Sequence, residues 1–418
     1  RIGADRNISK EINEKYTLKA HRKFLIKEIE NNVQEYIKHK SELMNSINDK
    51  IEMKKFNDIK TIQEDWIKRL VDQDSIDYQL VRSATVIAGT CIGFLANDIV
   101  KDMLFDYVII DEAAKATTPE LLVSIIKAKK IILVGDQNQL PAFADENVSP
   151  TLATLTKNPE YRLFDILYNS LPETHKQILT TQYRMTSSIG NLISQVFYNG
   201  VVDTGCNDSD KQHGLTRYLG KSIIWFDTSN NPNRFQKKTK GGSYINEEEK
   251  KIILNILNDL NITGELNGLD VGIITGYSGQ KELLRKSIKT NNIDKIANID
   301  INTLDAFQGR ENDVIIYSTV RTKNSIGFQK EKERINVAFS RAKKLLIVCG
   351  NLDFFYNFDD PDNKFVEIID YINENYDDAE ARIENIDEFK KLYNFEFEEI
   401  KAKDYKEIEK KKVLLLYF

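Results

Sequence analysis

Short apolar runs separated by polar turns recur along the chain and predict β-strands. The stretch 107–114, Y-V-I-I-D-E-A-A, opens with four apolar or β-branched residues. A run this short and this apolar predicts a strand buried in a parallel sheet. The stretch 84–96 predicts a strand, a glycine turn and the start of a helix. Five further strands are predicted, at 130–135, 223–226, 271–275, 314–319 and 345–349.

Segments whose apolar residues recur at helical spacing lie between these strands. Alternation of strands and helices is typical of α/β domains built on a parallel sheet. The pattern therefore predicts a partial first domain over 1–178, a second domain over 179–358, and a charged helix and tail over 359–418 that could lead to a further domain. Apolar residues at helical spacing predict amphipathic helices at 246–260, 279–288, 334–342 and 365–375.

A long charged segment precedes the first predicted strand. From 8 to 80 apolar residues recur at helical spacing, with no proline or glycine. This pattern predicts a helical hairpin that projects from the first domain, with a turn near Asn48 and Asp49. The alternative is a plain pair of surface helices whose lysine and glutamate side chains are simply solvated.

Composition limits the classes of partner and the compartment. The chain has 59 basic and 64 acidic residues, for a net charge of -5. No global positive field attracts polyanions, so any nucleic-acid contact must come from locally placed groups. The three cysteines fit neither a disulfide framework nor a zinc site. There is no signal peptide and no apolar run that could span a membrane, so we expect an intracellular, cytoplasmic protein.

Two adjacent carboxylates, Asp111 and Glu112, follow the 107–110 strand. The carboxyl ends of strands are where open α/β sheets bind their ligands. Paired acids at this position indicate metal-assisted phosphate chemistry. The alternative is a strand that ends in solvated acids, and this stretch alone does not exclude it.

Five motifs in a fixed order carry a resemblance to a known family. They are D-E-A-A at Asp111, G-D-Q-N-Q-L-P at Gly135, Q-Y-R-M at Gln182, T-L-D-A-F-Q-G-R-E at Thr303 and R-I-N-V-A-F-S-R-A at Arg334. The chain resembles the superfamily 1 helicases, in the branch of the RNA-surveillance (nonsense-mediated decay) helicases, over most of 84–358. The resemblance implies an α/β fold of two RecA-like parallel-sheet domains, the first incomplete, with the helical hairpin as an insertion.

The resemblance also implies an ATP site with separate tasks for its residues. Asp111 would hold Mg²⁺, and Glu112 would orient and deprotonate the attacking water. Arg184 and Arg341 would contact the phosphates, because guanidinium is always charged and can bind phosphate oxygens bidentately. Gln139 would sense the γ-phosphate. The other nucleotide-binding residues would be Tyr183, stacked on adenine, Glu311, bound to ribose hydroxyls, and Asp136, Gln308 and Gly309.

Single-stranded nucleic acid is the second implied partner. Hydroxyl and amide donors suit contacts to phosphates that do not depend on sequence. Such contacts do not read the 2′-hydroxyl, so the choice between RNA and DNA stays open. Each residue of the set, taken alone, is more often a capping or turn residue. By resemblance the set is Thr90, Thr275, Tyr277, Gln280 and Thr303.

The predicted function is an ATP-dependent translocase or helicase on single-stranded nucleic acid, for which the resemblance implies 5′-to-3′ movement. The alternative is a non-hydrolysing nucleic-acid-binding or scaffolding module that retains the fold. A third hypothesis takes Glu399 and Lys401 as part of an E-x-K nuclease metal site, although this pattern arises easily in so charged a tail.

The sequence departs from the family pattern in one indispensable part. Residues 1–418 contain no G-x-x-x-x-G-K-[S/T] loop, the backbone cradle and lysine that hold the β- and γ-phosphates. We therefore expect that this polypeptide cannot hydrolyse ATP unaided, and that an upstream segment or a partner chain carries the loop. A smaller departure is Gly276, where relatives often have proline.

Overall fold

The structure is a computed structural model of the chain. It describes residues 9–44, 50–71, 74–142, 158, 161–218, 220–291, 293, 298–307, 309–375 and 381–385. The chain divides into two compact units, Arg1–Asp136 with Pro141–Ser170, and Gln137–Leu140 with Leu171–Phe418. Parallel sheets in both units confirm the predicted α/β class. None of the described helices is both long enough and apolar enough to cross a membrane.

Four helices open the first unit. α2 packs against α3 and α4, and Arg22 on α2 pairs with Asp77 on α4, at 3.4 Å from Nη1 to Oδ2. The predicted pair of long helices is therefore present, and the predicted turn at Asn48 and Asp49 lies outside the described residues. The helices are α1 (Lys10–Lys15), α2 (Leu18–Met44), α3 (Lys50–Val71) and α4 (Asp74–Ser83).

A two-stranded parallel sheet forms the centre of the first unit. Its strands pair from Phe105 with Ala128 to Ile110 with Leu133. Helix α6 begins with a capping box between Thr117 and Glu120, and Pro119 lies in its first turn, where the missing N–H costs nothing. The elements in chain order are α5 (Cys91–Ala96), β1 (Phe105–Ile110), α6 (Thr118–Ile125), β2 (Ala128–Leu133) and α7 (Leu163–Ser170).

Two predictions about this sheet are wrong. Strand β1 is not buried, since the side chains of Tyr107 and Ile109 are 57% and 66% exposed. Within the described residues the sheet has two strands, and nothing covers the face from which these side chains project. Residues 84–89 do not form a strand, because their extended backbone has no ladder partner in the described chain, although α5 starts where a helix was predicted.

The second unit is organised by a six-stranded sheet in which every neighbouring pair is parallel. Its spatial order is β12-β5-β11-β10-β8-β9. The remaining strands form two short pairs, one parallel and one antiparallel. The strands are β3 (Thr181–Gln182), β4 (Asp203–Thr204), β5 (Ile223–Asp227), β6 (Lys237–Lys238), β7 (Tyr244–Ile245), β8 (Asp270–Thr275), β9 (Asn298–Thr303), β10 (Asn312–Ser318), β11 (Ala342–Gly350) and β12 (Ala381–Asn385).

Helices cover both faces of this sheet. Alternate residues of a strand point to opposite faces, and accordingly Ile223 and Trp225 belong to one apolar cluster while Ile224 and Phe226 belong to another. The first cluster includes residues of α8, α11 and α13, and the second includes residues of α9 and α10. The helices are α8 (Ser187–Tyr198), α9 (Glu247–Ile262), α10 (Ser278–Thr290), α11 (Lys332–Phe339), α12 (Leu352–Tyr356) and α13 (Phe365–Glu374).

Most elements of the second unit lie where the hydrophobic pattern predicts them, and the differences are local. Helix α11 ends at Phe339, and Ala342 already begins β11. Strand β9 was missed because N-I-D-I-N-T alternates polar and apolar residues, as suits its place at the edge of the sheet. Strand β12 was also missed. Residues 386–418 of the predicted charged tail lie outside the described residues.

Candidate functional site

Asp111 and Glu112 form a tight acidic turn directly after β1. Glu112 has φ 55° and ψ 37°, the left-handed region that residues other than glycine, asparagine and aspartate rarely adopt. Asp111 Oδ1 accepts a hydrogen bond from the Glu112 N–H at 2.9 Å, and Lys115 Nζ pairs with Glu112 Oε2 at 2.9 Å. Both carboxylates are exposed. Backbone strain of this kind is concentrated at functional sites.

The end of β2 holds the acidic turn in place. The Ala113 N–H donates to the Val134 carbonyl at 2.8 Å, and the Val134 N–H donates to the Ile110 carbonyl at 2.9 Å. Gly135 follows at once, and a Cβ at this position would stand 2.8 Å from the Ala114 nitrogen. Glycine at 135 is therefore a steric requirement of the turn.

Replacing this glycine should loosen the acidic turn. In Gly135→Ala the added methyl group meets backbone that cannot move without breaking the β1–β2 pairing, a cost of about 1–3 kcal/mol. We expect hydrogen exchange at the Ala113 and Val134 amides to become about 10-fold faster or more. Gly276→Ala is the matched control, because nothing lies within 4 Å of a Cβ there. Unchanged exchange in Gly135→Ala would contradict the steric role.

The other predicted residues of the first unit lie at the ends of elements. Thr90 caps α5, and its Oγ1 accepts a hydrogen bond from the Gly93 N–H at 3.1 Å. The side chain is exposed, so the hydroxyl can still donate to a ligand. Asp136 is partly buried and directly follows Gly135. Their contacts with nucleic acid and with nucleotide stay predictions.

In the second unit, Gln182 shapes the turn from which Tyr183 and Arg184 project. Its Oε1 accepts hydrogen bonds from the N–H groups of Arg184 and Met185, both at 2.8 Å. Its Nε2 donates to the Met185 carbonyl at 3.1 Å and to Thr204 Oγ1 at 2.7 Å. All three polar functions of this amide are thus used to fix one turn. The sequence prediction included the motif and missed this role of its first residue.

Tyr183 is placed as an exposed aromatic on a rigid backbone. The residue is 67% exposed and does not belong to the core. The ring lies against Gly205, where a Cβ would come within 2.5 Å of Cε1. Lys211 Nζ donates to the Tyr183 carbonyl at 2.6 Å. This arrangement suits stacking against a flat ligand, and adenine as that ligand stays a prediction.

Arg184 and Glu311, which are 127 residues apart, are brought together. Arg184 Nε donates to Glu311 Oε2 at 2.8 Å, and its Nη1 donates to the Ser340 carbonyl at 3.4 Å. Both side chains keep more than a third of their surface exposed. Gly309 has φ +77° with open space around it, so the backbone here can approach a ligand closely. Gln308 lies outside the described residues.

Arg341 is neither exposed nor helical, although the predicted helix 334–342 included it. It follows the end of α11 and is buried. Its Nε donates to the Val337 carbonyl at 3.0 Å, and its Nη1 and Nη2 reach the Arg310 carbonyl and Ser340 Oγ, each at 3.4 Å. The guanidinium is therefore held by its own unit, and contact with a phosphate would require it to exchange part of this set.

Gln139 lies in a segment, Gln137–Leu140, that groups with the second unit. Leu140 belongs to the apolar core of that unit, and Asn336 Nδ2 donates to the Asn138 carbonyl at 2.7 Å. The side chain of Gln139 is partly buried. Its contact with a γ-phosphate stays a prediction.

The predicted nucleic-acid contacts of the second unit are mostly interior. Thr275 and Gln280 are completely buried and Tyr277 nearly so, whereas Thr303 is partly exposed. The amide of Gln280 is bonded to the backbone of Asn246, with its Oε1 accepting at 2.8 Å and its Nε2 donating at 3.1 Å. As placed, these three buried side chains present no donor to solvent, and contact with nucleic acid stays a prediction.

A buried carboxylate that sequence reasoning missed lies among these residues. Glu249 is completely buried, and it accepts hydrogen bonds from Ser318 Oγ at 2.6 Å, from Thr319 Oγ1 at 3.1 Å and from the Val320 N–H at 2.9 Å. Burial raises the pKa of Glu249 to about 7. Val320 has φ 65°, a genuine outlier for a β-branched residue. In the sequence Glu249 belongs to an E-E-E run that resembles a solvated helix start.

The acidic turn offers the donor set that Mg²⁺ requires. Mg²⁺ commonly binds through one or two carboxylates together with waters and substrate phosphates. Asp111 and Glu112 supply two exposed carboxylates, and no group of three or more His, Cys, Asp and Glu side chains within the described ranges could hold a metal by itself. The residues present therefore fit a metal that is shared with a phosphate ligand.

Comparisons with known proteins agree with the motifs. Two family models match the chain, both described as an AAA domain, one over residues 2–146 and the other over 160–353. An uncharacterized ATP-dependent helicase of Methanocaldococcus jannaschii is 33% identical over 306 residues, which cover 69% of this chain and 43% of that protein.

Two eukaryotic relatives are similar at the same level. Regulator of nonsense transcripts 1 of Dictyostelium discoideum is 32% identical over 285 residues, covering 66% of this chain and 20% of that protein. ATP-dependent helicase upf1 of Schizosaccharomyces pombe is 34% identical over 288 residues, covering 65% and 29%. The chain thus spans less than half the length of each of these relatives.

Among solved structures, an Arterivirus nonstructural protein 10 (helicase) in complex with DNA is 15% identical. It matches 62% of this chain and 41% of its own, with a TM-score of 0.31. A likeness this weak supports no further conclusion.

Proposed function

The chain belongs to the superfamily 1 helicases, in the group of the RNA-surveillance helicases, and we propose that it is the motor part of an ATP-dependent helicase or translocase on single-stranded nucleic acid. The observation that carries the proposal is the acidic turn. Glu112 is held in a strained backbone conformation at the carboxyl end of a parallel strand, where open α/β sheets bind their ligands.

The proposed chemistry divides the work between side chains of the two units. Asp111 binds the metal, which neutralises charge on the phosphates when bound. Glu112 orients and deprotonates the attacking water, and Gln139 senses the γ-phosphate. Arg184 and Arg341 stabilise negative charge that spreads over the transferred phosphoryl group. Tyr183 stacks on adenine, and Glu311 accepts from ribose.

The proposed movement along nucleic acid follows from the placement of these groups on two different units. Acids on one unit and arginines on the other would both contribute to binding ATP. Binding of ATP would therefore draw the units together, and its hydrolysis would release them. Nucleic acid held by both units would then be gripped alternately. The similarity to RNA-surveillance helicases is the support for 5′-to-3′ movement. The proposal also requires a phosphate-cradling loop, which we expect an upstream segment or a partner chain to supply, since residues 1–418 contain none.

The test is ATP turnover with and without single-stranded RNA or DNA, on protein that includes the loop. We expect Arg184→Ala to lower kcat by about 10³-fold, the usual effect of removing an arginine from the transferred phosphate. Glu311→Gln is the informative comparison because Glu311 is the ion-pair partner of Arg184. It should raise KM for ATP and leave kcat within a few fold.

Two results would count against this assignment. Equal losses of kcat in Arg184→Ala and Glu311→Gln would mean that Arg184 matters only as the partner of Glu311. Absence of any turnover stimulated by single strands, in protein that carries the loop, would favour the non-hydrolysing nucleic-acid-binding module instead.

A further inference from the structure

We propose that the second unit carries a stacking surface for single-stranded nucleic acid on residues 234–244 and 321–328, which we call the aromatic–basic surface. None of its residues belongs to the set predicted to contact nucleic acid, and Tyr277 of that set packs against Tyr244 and Phe328 of the surface. The inference rests on the proposed function, because it identifies where that function's polymer is held.

Local charge is the first observation. Segment 228–246 contains four basic residues and no acidic residue, in a chain whose net charge is -5. Segment 319–330 contains three basic residues and no acidic residue. Lys330 pairs with Asp360 at 2.9 Å, so it does not count toward the surface. A polyanion is attracted by such local placement and not by the charge of the whole chain.

The lysines of the β6–β7 hairpin are the cations available for phosphates. Lys237, Lys238 and Lys240 are exposed and adjacent. In the part of the chain that the structure describes, none of them forms an ion pair with a carboxylate. Adjacent cations that no acid neutralises repel one another, and binding a phosphate backbone relieves this repulsion.

Two aromatic rings lie exposed on the same pair of segments. Phe235 and Phe328 are 43% and 51% exposed. The Arg234 guanidinium lies 4.5 Å from the centre of the Phe235 ring, and Lys323 Nζ lies 5.4 Å from the same centre. A cation beside an exposed ring pairs a phosphate-binding group with a base-stacking face, the combination found where proteins bind single strands.

Phe328 packs against a cluster of aromatic rings that meet edge to face or at a tilt. Its ring centre lies 5.6 Å from that of Tyr277, which in turn lies 5.7 Å from that of Tyr244. The Arg321 guanidinium covers Tyr244 at 4.3 Å. The rings of Tyr277 and Tyr244 are thus held in place on one side of Phe328, and its exposed side is available to a base.

The two segments are locked to each other before any ligand binds. The Gln236 N–H donates to Thr322 Oγ1 at 3.1 Å, and the Thr322 N–H donates to Gln236 Oε1 at 2.8 Å. Glu249 fixes Val320, the residue before Arg321, in its left-handed conformation. Because the surface is already ordered, binding loses little conformational entropy. This rigidity argues for a binding surface and against an incidental loop.

The exposed rings select the ligand. A stacking face binds a base only when the base is unstacked from its neighbours, which single strands permit and duplexes do not. An acidic peptide could satisfy the lysines, but it would gain nothing specific from Phe235. We therefore commit to single-stranded nucleic acid.

The electrostatic test uses fluorescence anisotropy of a labelled single-stranded oligonucleotide at several salt concentrations, with the whole chain. We expect the double variant Lys237→Ala/Lys238→Ala to bind at least about 10-fold more weakly. The slope of the logarithm of the binding constant against the logarithm of salt concentration should become shallower by about 0.7 per lysine. The matched control is Lys286→Ala/Lys289→Ala, which removes two exposed lysines from α10 on the same unit. The control should bind as the unaltered chain does.

The stacking test separates aromatic contact from mere apolar contact. Phe235→Leu should weaken binding about 10-fold with an unchanged salt dependence, since a base gains roughly 1–3 kcal/mol by stacking. Phe235→Tyr should restore binding, because it restores a flat ring. Ultraviolet crosslinking of a bromouridine oligonucleotide should label peptides that contain Phe235 or Phe328.

The outcomes distinguish this inference from the proposed function. If the unaltered chain binds single strands and the lysine and Phe235→Leu variants bind equally well, the surface is wrong and the proposed function stands. If the unaltered chain binds no single strand at all, the proposed function fails as well. An acidic peptide that competes fully with the oligonucleotide, without any effect of Phe235→Leu, would also overturn the stacking surface.

Discussion

Glu112→Gln is expected to abolish ATP turnover, with kcat lowered by about 10²–10⁴-fold. The amide keeps the size and the backbone position of the side chain but cannot accept a proton from the attacking water. Binding of ATP and of single strands should change little, because the carboxylate acts in the transition state and not in ground-state binding. The measurement is turnover stimulated by single strands alongside nucleotide binding, on protein that includes the phosphate loop.

Two further variants make this result specific. Asp106→Asn removes an exposed carboxylate from the same strand, where it pairs with Lys129 at 2.8 Å, and should leave kcat within a few fold. Glu112→Gly should abolish turnover and yet stabilise the first unit by roughly 1 kcal/mol, because glycine adopts φ 55° without strain. Full turnover in Glu112→Gln would remove this residue from the mechanism.

Glu249→Ala is expected to cost the second unit about 3–5 kcal/mol of unfolding free energy. The change leaves the donors of Ser318, Thr319 and Val320 buried without an acceptor and opens a cavity beside them. Glu247→Ala is the matched control in the first turn of the same helix. Its carboxylate forms a partly exposed ion pair with Lys250, worth roughly 0–1 kcal/mol. Chemical unfolding of the second unit measures both.

The pH dependence of stability gives an independent check on Glu249. Its pKa is raised from 4.5 to about 7 in the folded chain. Between these values the folded chain holds a proton that the unfolded chain releases, so the free energy of unfolding falls as pH rises from about 5 to 8. The expected fall is about 3 kcal/mol, and Glu249→Gln should remove it. A stability that is the same at pH 5 and pH 8 would contradict the protonated buried carboxyl.

The strands show how far the hydrophobic pattern predicts the fold. Runs of apolar residues predicted β5, β8, β10 and β11, because a strand covered on both faces must be apolar along its length. The alternating β9 lies at an edge and gave no such run. The same rule failed for β1 and β2, whose apolar runs are largely exposed in the described chain.

Some features of the candidate site could likewise be predicted from the sequence, and others could not. The motifs were sufficient to predict that Asp111 and Glu112 follow a strand, because residues adjacent in sequence remain adjacent in the fold. They could not predict the pairing of Arg184 with Glu311, or the interior position of Gln280, because those depend on segments distant in sequence that pack together. The run of basic residues over 228–246 is visible in the sequence, but its packing against 321–328 is not.

The sequence by itself determined the class of fold and the family, since these follow from local periodicity and from residue types in order. The tertiary structure alone decided which side chains are buried, which backbone is strained and which distant segments form one surface. The physical reason is that burial and strain depend on all neighbours in space. Glu112 and Glu249 are both glutamates in acidic runs, and only their surroundings make one an exposed carboxylate on strained backbone and the other a buried carboxyl.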